Sequence, residues 1–327
     1  MVPFQGNFKV DAVAPLTSKV FISMKAERQA YLLLAAVIVL WGANWPIMKV
    51  GLDYIPPLWF ASVRLLLGAF CLFLLIGVKG QLSLPDRRDM PVLLSVGCLQ
   101  LGLALALIHI ALTEIEASRS AILAYTVPLW VTPLAIIVLG EKIGLAKTLG
   151  LALGLAGIAV LFNPADFDFT NTTQLIGNGY LIASAMLGAI VITHVRNHRM
   201  VMSTLQIMPW QMLIGGTLLA MTALIQDGVP NLEFSGPLIA VLAYNGPVAS
   251  AFCFWAYQTV MRSLPATSTS LGSLGVPVAG MVFSAIALGE PLSMGKIGGL
   301  MLISSGVVTL IAGDFIWRPR SNAGDEK

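Results

Sequence analysis

The chain repeats one of its segments 149 residues further on, and this duplication constrains the fold more than any local pattern does. Residues 127–161 and 276–310 share 12 identities in 35 aligned positions, and six of these are Pro, Gly, Glu or Lys. An apolar bias alone would not align such residue types. Self-similarity at a long period indicates repeated structural units, so the sequence predicts two units of similar fold.

The composition predicts a protein that crosses a membrane several times. Of the 327 residues, 57% are hydrophobic and 11% are charged, whereas soluble domains carry about 25% charged residues. The three cysteines lie in apolar runs without metal-ligand spacing, so neither a disulfide nor a metal site is predicted. The net charge of +3 reflects sparse basic residues in connecting segments and gives no support to nucleic-acid binding.

Ten apolar stretches have about the 20 residues that a helix needs to cross the hydrocarbon core. The predicted spans are 31–50, 57–78, 90–112, 118–139, 145–162, 175–195, 205–225, 237–260, 267–288 and 294–316. The resulting all-α division is a cytoplasmic tail (1–29), a five-helix repeat (30–163), an outside loop (164–174), a second five-helix repeat (175–316) and a cytoplasmic tail (317–327).

The basic residues predict the orientation of these spans. With the N-terminus inside, 15 of the 19 lysines and arginines fall in cytoplasmic segments, three fall outside, and Arg64 lies within a span. Basic loops resist translocation, so both termini are predicted to be cytoplasmic. Five spans per half is an odd number, so the second half enters the membrane from the opposite side. Such inverted repeats are typical of secondary transporters, whose substrate site lies between the repeats.

Three motifs resemble the EamA-type transporters of the drug/metabolite transporter superfamily. They are the opening span Leu-Trp-Gly-Ala-Asn-Trp-Pro-Ile-Met-Lys at 40–49, the segment Ile-Pro-Pro-Leu-Trp-Phe-Ala at 55–61 followed by Arg64, and the paired Pro-x11-Gly-Glu segments. The resemblance covers residues 31–316 and implies ten helices in two inverted repeats around a central cavity, in a bacterial inner (plasma) membrane. Similar proteins export amino acids, their derivatives, nucleosides or xenobiotics.

Trp41, Asn44 and Trp45 share one face of the first predicted helix. An amide in the middle of an apolar helix costs free energy unless it meets a polar partner. This favours lining of a substrate cavity, and the alternative is that the tryptophans pack between helices while Asn44 bonds a neighbour. The second half has Leu187-Gly188-Ala189 where the first has Trp41-Gly42-Ala43, so the halves should contribute unequally.

Other candidates for substrate contacts lie on later spans. Tyr125 is predicted near the middle of its helix, where a phenol needs a hydrogen-bond partner. Trp255 and Gln258 share a stripe of the eighth span near its cytoplasmic end. Ser273 belongs to a stripe of small residues that is interpreted first as helix packing. His109 is interpreted as an interfacial side chain, with a proton-handling role as the alternative.

Arg64 is the only charged side chain clearly inside a predicted span. Its guanidinium is suited to bind a substrate carboxylate. The alternative is a structural strut to backbone carbonyls or to an outer-loop acid, and the sequence does not choose between the two.

The paired Pro-Gly-Glu positions are interpreted as structural. Prolines inside helices free carbonyls of the preceding turn and bend the helix, and glycines allow tight turns. A carboxylate at a helix N-terminus caps free N–H groups. The predicted hinge and packing positions are Pro128, Pro277, Gly140 and Gly289, and the predicted caps are Glu141 and Glu290.

The sequence predicts a facilitative exporter of amino acids or similar small metabolites that alternates between inward- and outward-open states by rocking one half against the other. Its predicted partners are a small-molecule substrate and the lipid bilayer, and a homo-oligomer is left open. Catalytic motifs, metal ligands and cofactor-binding motifs are missing from the sequence, so no enzyme is predicted. The alternatives are an exporter of nucleosides or cationic drugs, and a membrane scaffold or sensor.

Overall fold

The computed structural model describes residues 16–139, 144–161, 170–263 and 273–316. The helices are α1 (Leu16–Gly51), α2 (Pro57–Val78), α3 (Met90–Leu94), α4 (Leu105–Glu114), α5 (Ala117–Ala124), α6 (Val127–Leu139), α7 (Leu145–Leu161), α8 (Thr172–Asn197), α9 (Thr204–Asp227), α10 (Gly236–Ala243), α11 (Cys253–Ser263), α12 (Gly275–Leu288) and α13 (Met294–Ile316). In these ranges the chain is all-helical.

Six helical stretches are long and apolar enough to cross a membrane: Arg28–Gly51, Pro57–Val78, Arg87–Glu114, Thr172–Val195, Thr204–Asp227 and Gly236–Tyr257. Shorter apolar helices lie at Thr148–Leu161, Gly275–Leu288 and Met294–Thr309. The predicted span at 118–139 is divided into α5 and α6. The structure thus shows an all-helical membrane protein, and the number of ten spans stays a prediction.

Large apolar side chains cover the outer surface of the bundle. Val78, Ile137, Ile225 and Ile286 are between 77% and 83% exposed. In water such a surface would promote association, whereas in a bilayer the lipid chains solvate it. The exposed apolar surface therefore agrees with the membrane location that the composition predicts.

Two π-helical segments occur at equivalent places in the two halves. The first, π1, is Ser95–Ala104 between α3 and α4, and the second, π2, is Tyr244–Phe252 between α10 and α11. Their first residues are 149 positions apart, the same offset as in the duplicated segment. π-Helices are rare and frequently lie at functional sites, so the duplication extends to an uncommon backbone feature.

Helices from the two halves interleave instead of forming two separate blocks. One helix group, group A, consists of α2, α3, π1, α4, α9, α10, π2 and α11, in which α2 packs mainly on α9 and π2. The other, group B, consists of α5, α6, α7, α12 and α13, in which α7 packs mainly on α13. Helices α1 and α8 each contact both groups. The expectation that one sequence half rocks against the other is therefore wrong, because the largest helix interfaces join the two halves.

In group A, each half has a glycine that packs closely against the π-helix of the other half. A Cβ atom on Gly68 of α2 would lie 2.9 Å from the Cβ atom of Ser250 in π2. A Cβ atom on Gly215 of α9 would lie 2.9 Å from the Cβ atom of Leu101 in π1. Leu101 and Ser250 are 149 residues apart, and Gly68 and Gly215 are 147 residues apart, so the two contacts are equivalent with a two-residue difference in offset between α2 and π1.

The same reciprocity holds at the crossing of α7 and α13 in group B. A Cβ atom on Gly157 would lie 2.9 Å from the carbonyl oxygen of Gly299, and one on Gly306 would lie 2.6 Å from that of Gly150. Both pairs of equivalent glycines are 149 residues apart. Only glycine permits helix backbones to approach this closely.

Candidate functional site

Arg64 is a buried cation without an anionic partner among the described residues. Its side chain on α2 is 4% exposed. Nε donates to the hydroxyl oxygen of Ser250 at 3.2 Å, and Nη1 lies 2.8 Å from the sulfur of Met48. No carboxylate of the described chain lies within 4.0 Å of the guanidinium, and neither contact is the carbonyl or outer-loop acid that the strut hypothesis requires.

His109 on α4 lies in the same environment as Arg64. Its ring is fully buried, and Nδ1 lies 2.8 Å from the carbonyl oxygen of Leu105. The ring stands edge-on to Phe60 at a centroid distance of 5.2 Å, and the guanidinium of Arg64 is an electrostatic neighbour. Nε2 has no hydrogen-bond partner in the described part of the chain. The interfacial interpretation of His109 is therefore wrong, because helices packed around α4 bury it.

Two asparagines with unpartnered oxygen atoms lie on α1 and π2, the elements that contact Arg64. Asn44 is 4% exposed and Asn245 is fully buried, and the Oδ1 atom of each has no partner among the described residues. Asn44 precedes Met48 by one turn of α1. Asn245 precedes Ser250 by five residues in π2, the spacing of hydrogen-bonded residues in a π-helix. We call Arg64, His109, Asn44 and Asn245 the polar cluster.

The tryptophans of α1 lie one turn apart on the helix that carries Asn44. Trp41 Nε1 donates to the carbonyl oxygen of Ala249 in π2 at 2.9 Å, and its ring lies 5.3 Å from that of Phe254. Trp45 is 6% exposed and packs in an apolar cluster that includes Tyr125. Trp41 is thus engaged in helix packing, as the alternative interpretation of this face expected, while both tryptophans flank Asn44.

Tyr125 directly follows α5, at the point where the helix is interrupted before α6 begins. Tyr257 and Cys253 of α11 are its electrostatic neighbours, and a side-chain hydrogen bond joins Tyr257 to Ser273. Tyr125 and Ser273 therefore approach α11 from group B. Tyr257 itself was not predicted, although it lies between two residues that were.

One predicted substrate contact on α11, Trp255, makes no described contact with the polar cluster. The ring of Trp255 is half-buried and contacts Phe252 at 5.9 Å. The side chain of Gln258 lies outside what the structure describes. A cavity common to the predicted residues stays a prediction.

The two repeated prolines lie near helix starts. Pro128 is the second residue of α6, just after the break at residues 125–126, and Pro277 lies in the first turn of α12. Gly289 ends α12 with φ of 67°, a conformation that favours glycine. Gly140 and Glu141 lie outside the described residues, and the hinge role stays a prediction.

Glu290 caps a helix, but this helix is α5 and not the one that follows it in sequence. Its Oε1 and Oε2 atoms accept hydrogen bonds from the backbone N–H groups of Ala117 at 2.7 Å and Ser118 at 2.9 Å. Beside it, Lys296 forms an ion pair with Glu116. These contacts join the halves at the predicted outer end.

Lys49 also stabilises this end. Its ammonium group donates to the carbonyl oxygens of Leu112 at 2.6 Å, Thr113 at 3.0 Å and Ile115 at 3.2 Å. These carbonyls end α4, where a cation compensates the helix dipole.

At the predicted cytoplasmic end, a buried carboxylate joins the two halves. Asp89 is fully buried and accepts from the backbone N–H groups of Val201 at 3.0 Å and Met202 at 2.8 Å. Nε2 of His198 lies 3.3 Å from its Oδ1 atom. The connection between α8 and α9 is thereby attached to the start of α3.

Two cavities lie away from the polar cluster. One of about 440 Å³ is lined by residues including Phe73 and Trp210, and one of about 190 Å³ is lined by residues including Arg119 and Lys296. Within the described ranges, no three His, Cys, Asp or Glu side chains are grouped as a metal site would require.

Comparisons with known proteins agree across nearly the whole chain. The model of the EamA-like transporter family matches residues 28–163 and 175–312. The uncharacterized transporter YoaV of Bacillus subtilis is 26% identical over 273 residues, covering 83% of this chain and 93% of that protein. A protein of Escherichia coli named probable amino-acid metabolite efflux pump is 25% identical over 309 residues, covering 91% and 99%. One solved structure, with 20% identity and a TM-score of 0.61, covers 90% of this chain and 98% of its own, which shows a shared fold.

Proposed function

The chain belongs to the EamA-like transporter family, and from this membership we propose that it exports α-amino acids or closely related metabolites across a bacterial inner membrane. Members of the family are membrane transporters and not enzymes. Relatives in Salmonella typhimurium and Escherichia coli carry the name amino-acid metabolite efflux pump. Their names suggest the substrate class, and the polar cluster gives it a physical basis.

The observation that supports this substrate class most directly is the unpaired guanidinium of Arg64. Leaving a charge buried without its partner costs about 3–5 kcal/mol, so a side chain of this kind is expected to serve a function. An α-carboxylate would accept two parallel hydrogen bonds from the guanidinium and neutralise it. The substrate would then supply the counter-ion that the described protein lacks.

The alternatives fit the polar cluster less well. A cationic drug would bring a second positive charge next to Arg64, and a nucleoside brings no anion. A scaffold would keep the cost of the buried charge without any gain from a ligand. A sensor could bind the same ligand, and membership of a transporter family favours transport over sensing. The unpaired cation therefore favours a substrate with a carboxylate.

We propose that the two halves are inverted repeats of five spans each, at 30–163 and 175–316, with both termini in the cytoplasm. The equivalent π-helices and the exchanged glycine contacts support a pseudo-two-fold axis between the halves. The excess of basic residues in the predicted inner segments supports the orientation.

We propose that alternating access occurs by movement of group A against group B, with α1 and α8 between them. Arg64, His109 and Asn245 belong to group A, Tyr125 belongs to group B, and Asn44 lies on α1. A substrate bound at the cluster would therefore contact the boundary between the moving groups. Such a position is typical of carriers with repeated folds.

We propose that export is facilitative and follows the substrate gradient. Proton-driven carriers usually keep a titratable carboxylate or histidine at membrane depth. No carboxylate of the described chain accompanies Arg64, and a second proton on His109 would place another unpaired cation beside Arg64. In proteoliposomes with equal substrate on both sides, an imposed pH gradient should cause no net accumulation. Uphill accumulation that His109→Ala abolishes would show proton coupling through His109 instead.

The experiment for Arg64 compares an amino acid with its amide. Purified wild-type protein should bind at least one of the twenty amino acids, and the corresponding amide more weakly. Arg64→Lys keeps the charge but loses the bidentate geometry, so affinity for the acid should fall by about tenfold or more while affinity for the amide changes little. Arg199→Gln removes an exposed cytoplasmic cation and is the matched control. Equal losses for acid and amide would contradict the carboxylate role.

A further inference from the structure

Three buried acceptor atoms without a partner among the described residues lie on α1, α4 and π2, the elements that contact Arg64 or carry its neighbour His109. They are Nε2 of His109 and the Oδ1 atoms of Asn44 and Asn245. Buried polar groups normally have partners, so three such atoms beside one unpaired cation are not expected from packing alone. The cation requires an anion, and the acceptors require donors.

The structure indicates the proton arrangement of His109. A carbonyl oxygen only accepts, so Nδ1, at 2.8 Å from that of Leu105, carries the hydrogen. The neighbouring Arg64 opposes a second proton, since two unpaired cations would then share one buried site. Nε2 therefore presents a lone pair. His109 is thus an acceptor toward any bound molecule.

The orientation of Asn245 is fixed in a similar way. Its Nδ2 atom donates to the carbonyl oxygen of Val241 at 3.0 Å. The Oδ1 atom then faces away from this bond and has no partner among the described residues. Ser250, on the next turn of π2, accepts from Arg64. The π-helix therefore presents an acceptor oxygen and a ligand of the guanidinium on neighbouring turns.

Asn44 contributes the third acceptor from α1. It lies one turn before Met48, whose sulfur is 2.8 Å from Nη1 of Arg64. The three acceptors thus come from three separate elements. On α1 and π2, Asn44 and Asn245 lie four and five residues before the groups that contact Arg64, and His109 on α4 has Arg64 itself as a neighbour. An ammonium group has three N–H donors, one for each acceptor.

We propose that His109, Asn44 and Asn245 bind the α-ammonium group of the substrate while Arg64 binds its carboxylate. This inference rests on the proposed function and deepens it, because it restricts the substrates to α-amino acids with a free amine. Hydroxy acids and N-acylated amino acids carry the same carboxylate but leave acceptors unpaired. They are therefore rejected, as expected of a site with buried polar groups.

The test compares four ligands with one side chain: an amino acid, its α-hydroxy acid, its N-acetyl derivative and its amide. Binding is measured by calorimetry on the purified full-length protein. Wild type should bind the amino acid about 100-fold more tightly than the hydroxy acid or the N-acetyl form. The amide keeps the α-amine but lacks the carboxylate, so its affinity tests the role of Arg64 separately.

Variants assign this preference to the acceptors. His109→Leu and Asn245→Leu should each reduce the preference for the amino acid over the hydroxy acid by about tenfold and leave the preference for acid over amide unchanged. His109→Gln keeps an acceptor and should restore part of the preference. Thr193→Val removes a buried hydroxyl whose bond lies within α8, so it is the matched control. Because each readout is a ratio of affinities in one protein, partial loss of folded protein does not change it.

The outcomes separate the two proposals. If the hydroxy acid binds as tightly as the amino acid while the amide binds weakly, the ammonium site is wrong and the carboxylate site stands. If the amide binds as tightly as the acid, the proposed function is wrong. If wild type prefers the amino acid but the variants keep this preference, the amine is recognised elsewhere and the assignment of these acceptors is overturned.

Discussion

A methyl group placed at the crossing of α7 and α13 should destabilise the protein strongly. In Gly306→Ala, the new Cβ atom would lie 2.6 Å from the carbonyl oxygen of Gly150 and 2.6 Å from the backbone nitrogen of Gly154. Ordinary contact begins near 3.4 Å, so the two helices would have to separate locally by about 0.8 Å. Neither atom belongs to a side chain that could rotate away, so we expect the upper end of overpacking costs, about 3 kcal/mol.

Gly298→Ala on the same helix is the matched control. Its Cβ atom would meet only Val160, at 3.8 Å, and the gain in helix propensity from Gly to Ala, about 1 kcal/mol, is common to both variants. At about 2 °C per kcal/mol, the melting temperature of Gly306→Ala should lie about 6 °C below that of Gly298→Ala. Tryptophan fluorescence during heating in lipid nanodiscs measures this difference. Equal melting temperatures would refute the close backbone contact.

The polar contacts at the two ends of the bundle lead to further predictions. Glu290→Gln should lower stability by about 1 kcal/mol through the weakened cap of α5, and an unchanged melting temperature would contradict this. Asp89→Asn should lower the free energy of unfolding by about 2 kcal/mol and speed hydrogen exchange in the α8–α9 connection. Unchanged exchange there would contradict the role of Asp89 in holding this connection. Lys49→Met should lower the free energy of unfolding by about 1 kcal/mol and speed hydrogen exchange at the end of α4. Lys49→Arg keeps the charge and should show much smaller changes in both measurements. A cysteine replacing Asp168, outside the described residues, should react with an impermeant reagent in intact cells of a cysteine-free variant, and reaction only after permeabilisation would overturn the predicted topology.

The sequence predicted the helical class because apolar runs are a short-range pattern, and it predicted the duplication because two of its segments can be aligned directly. Apolar runs of membrane-spanning length indicate helices directly, and the offset of 149 residues reappears in π1 and π2. The interleaving of the halves could not be predicted in this way. Side-chain contacts between distant segments decide which helices pack together. Such contacts produce no periodic pattern that a single sequence would reveal.

The difference between local patterns and contacts of distant segments also explains which members of the polar cluster the sequence predicted. Arg64 and Asn44 were predicted because a charge or an amide within an apolar run is unusual by itself. His109 was misplaced because its depth was judged from the ends of its own helix, whereas its burial results from neighbouring helices. Asn245 was missed, although an amide within a predicted span is the pattern that identified Asn44.

The duplicated framework is symmetric, whereas the polar cluster is not. Gly68 and Gly215, which are 147 residues apart, make equivalent contacts. When α2 and α9 are aligned on these glycines, the residues four positions before them are Arg64 and Gln211. One half therefore has a cation where the other has an amide. A second arginine at this place would add another buried charge, and a single substrate carboxylate could neutralise only one of them. A pseudo-symmetric carrier that binds one zwitterion should therefore have its cation in one half only, and this asymmetry gives the bound substrate a defined orientation relative to the predicted two-fold axis.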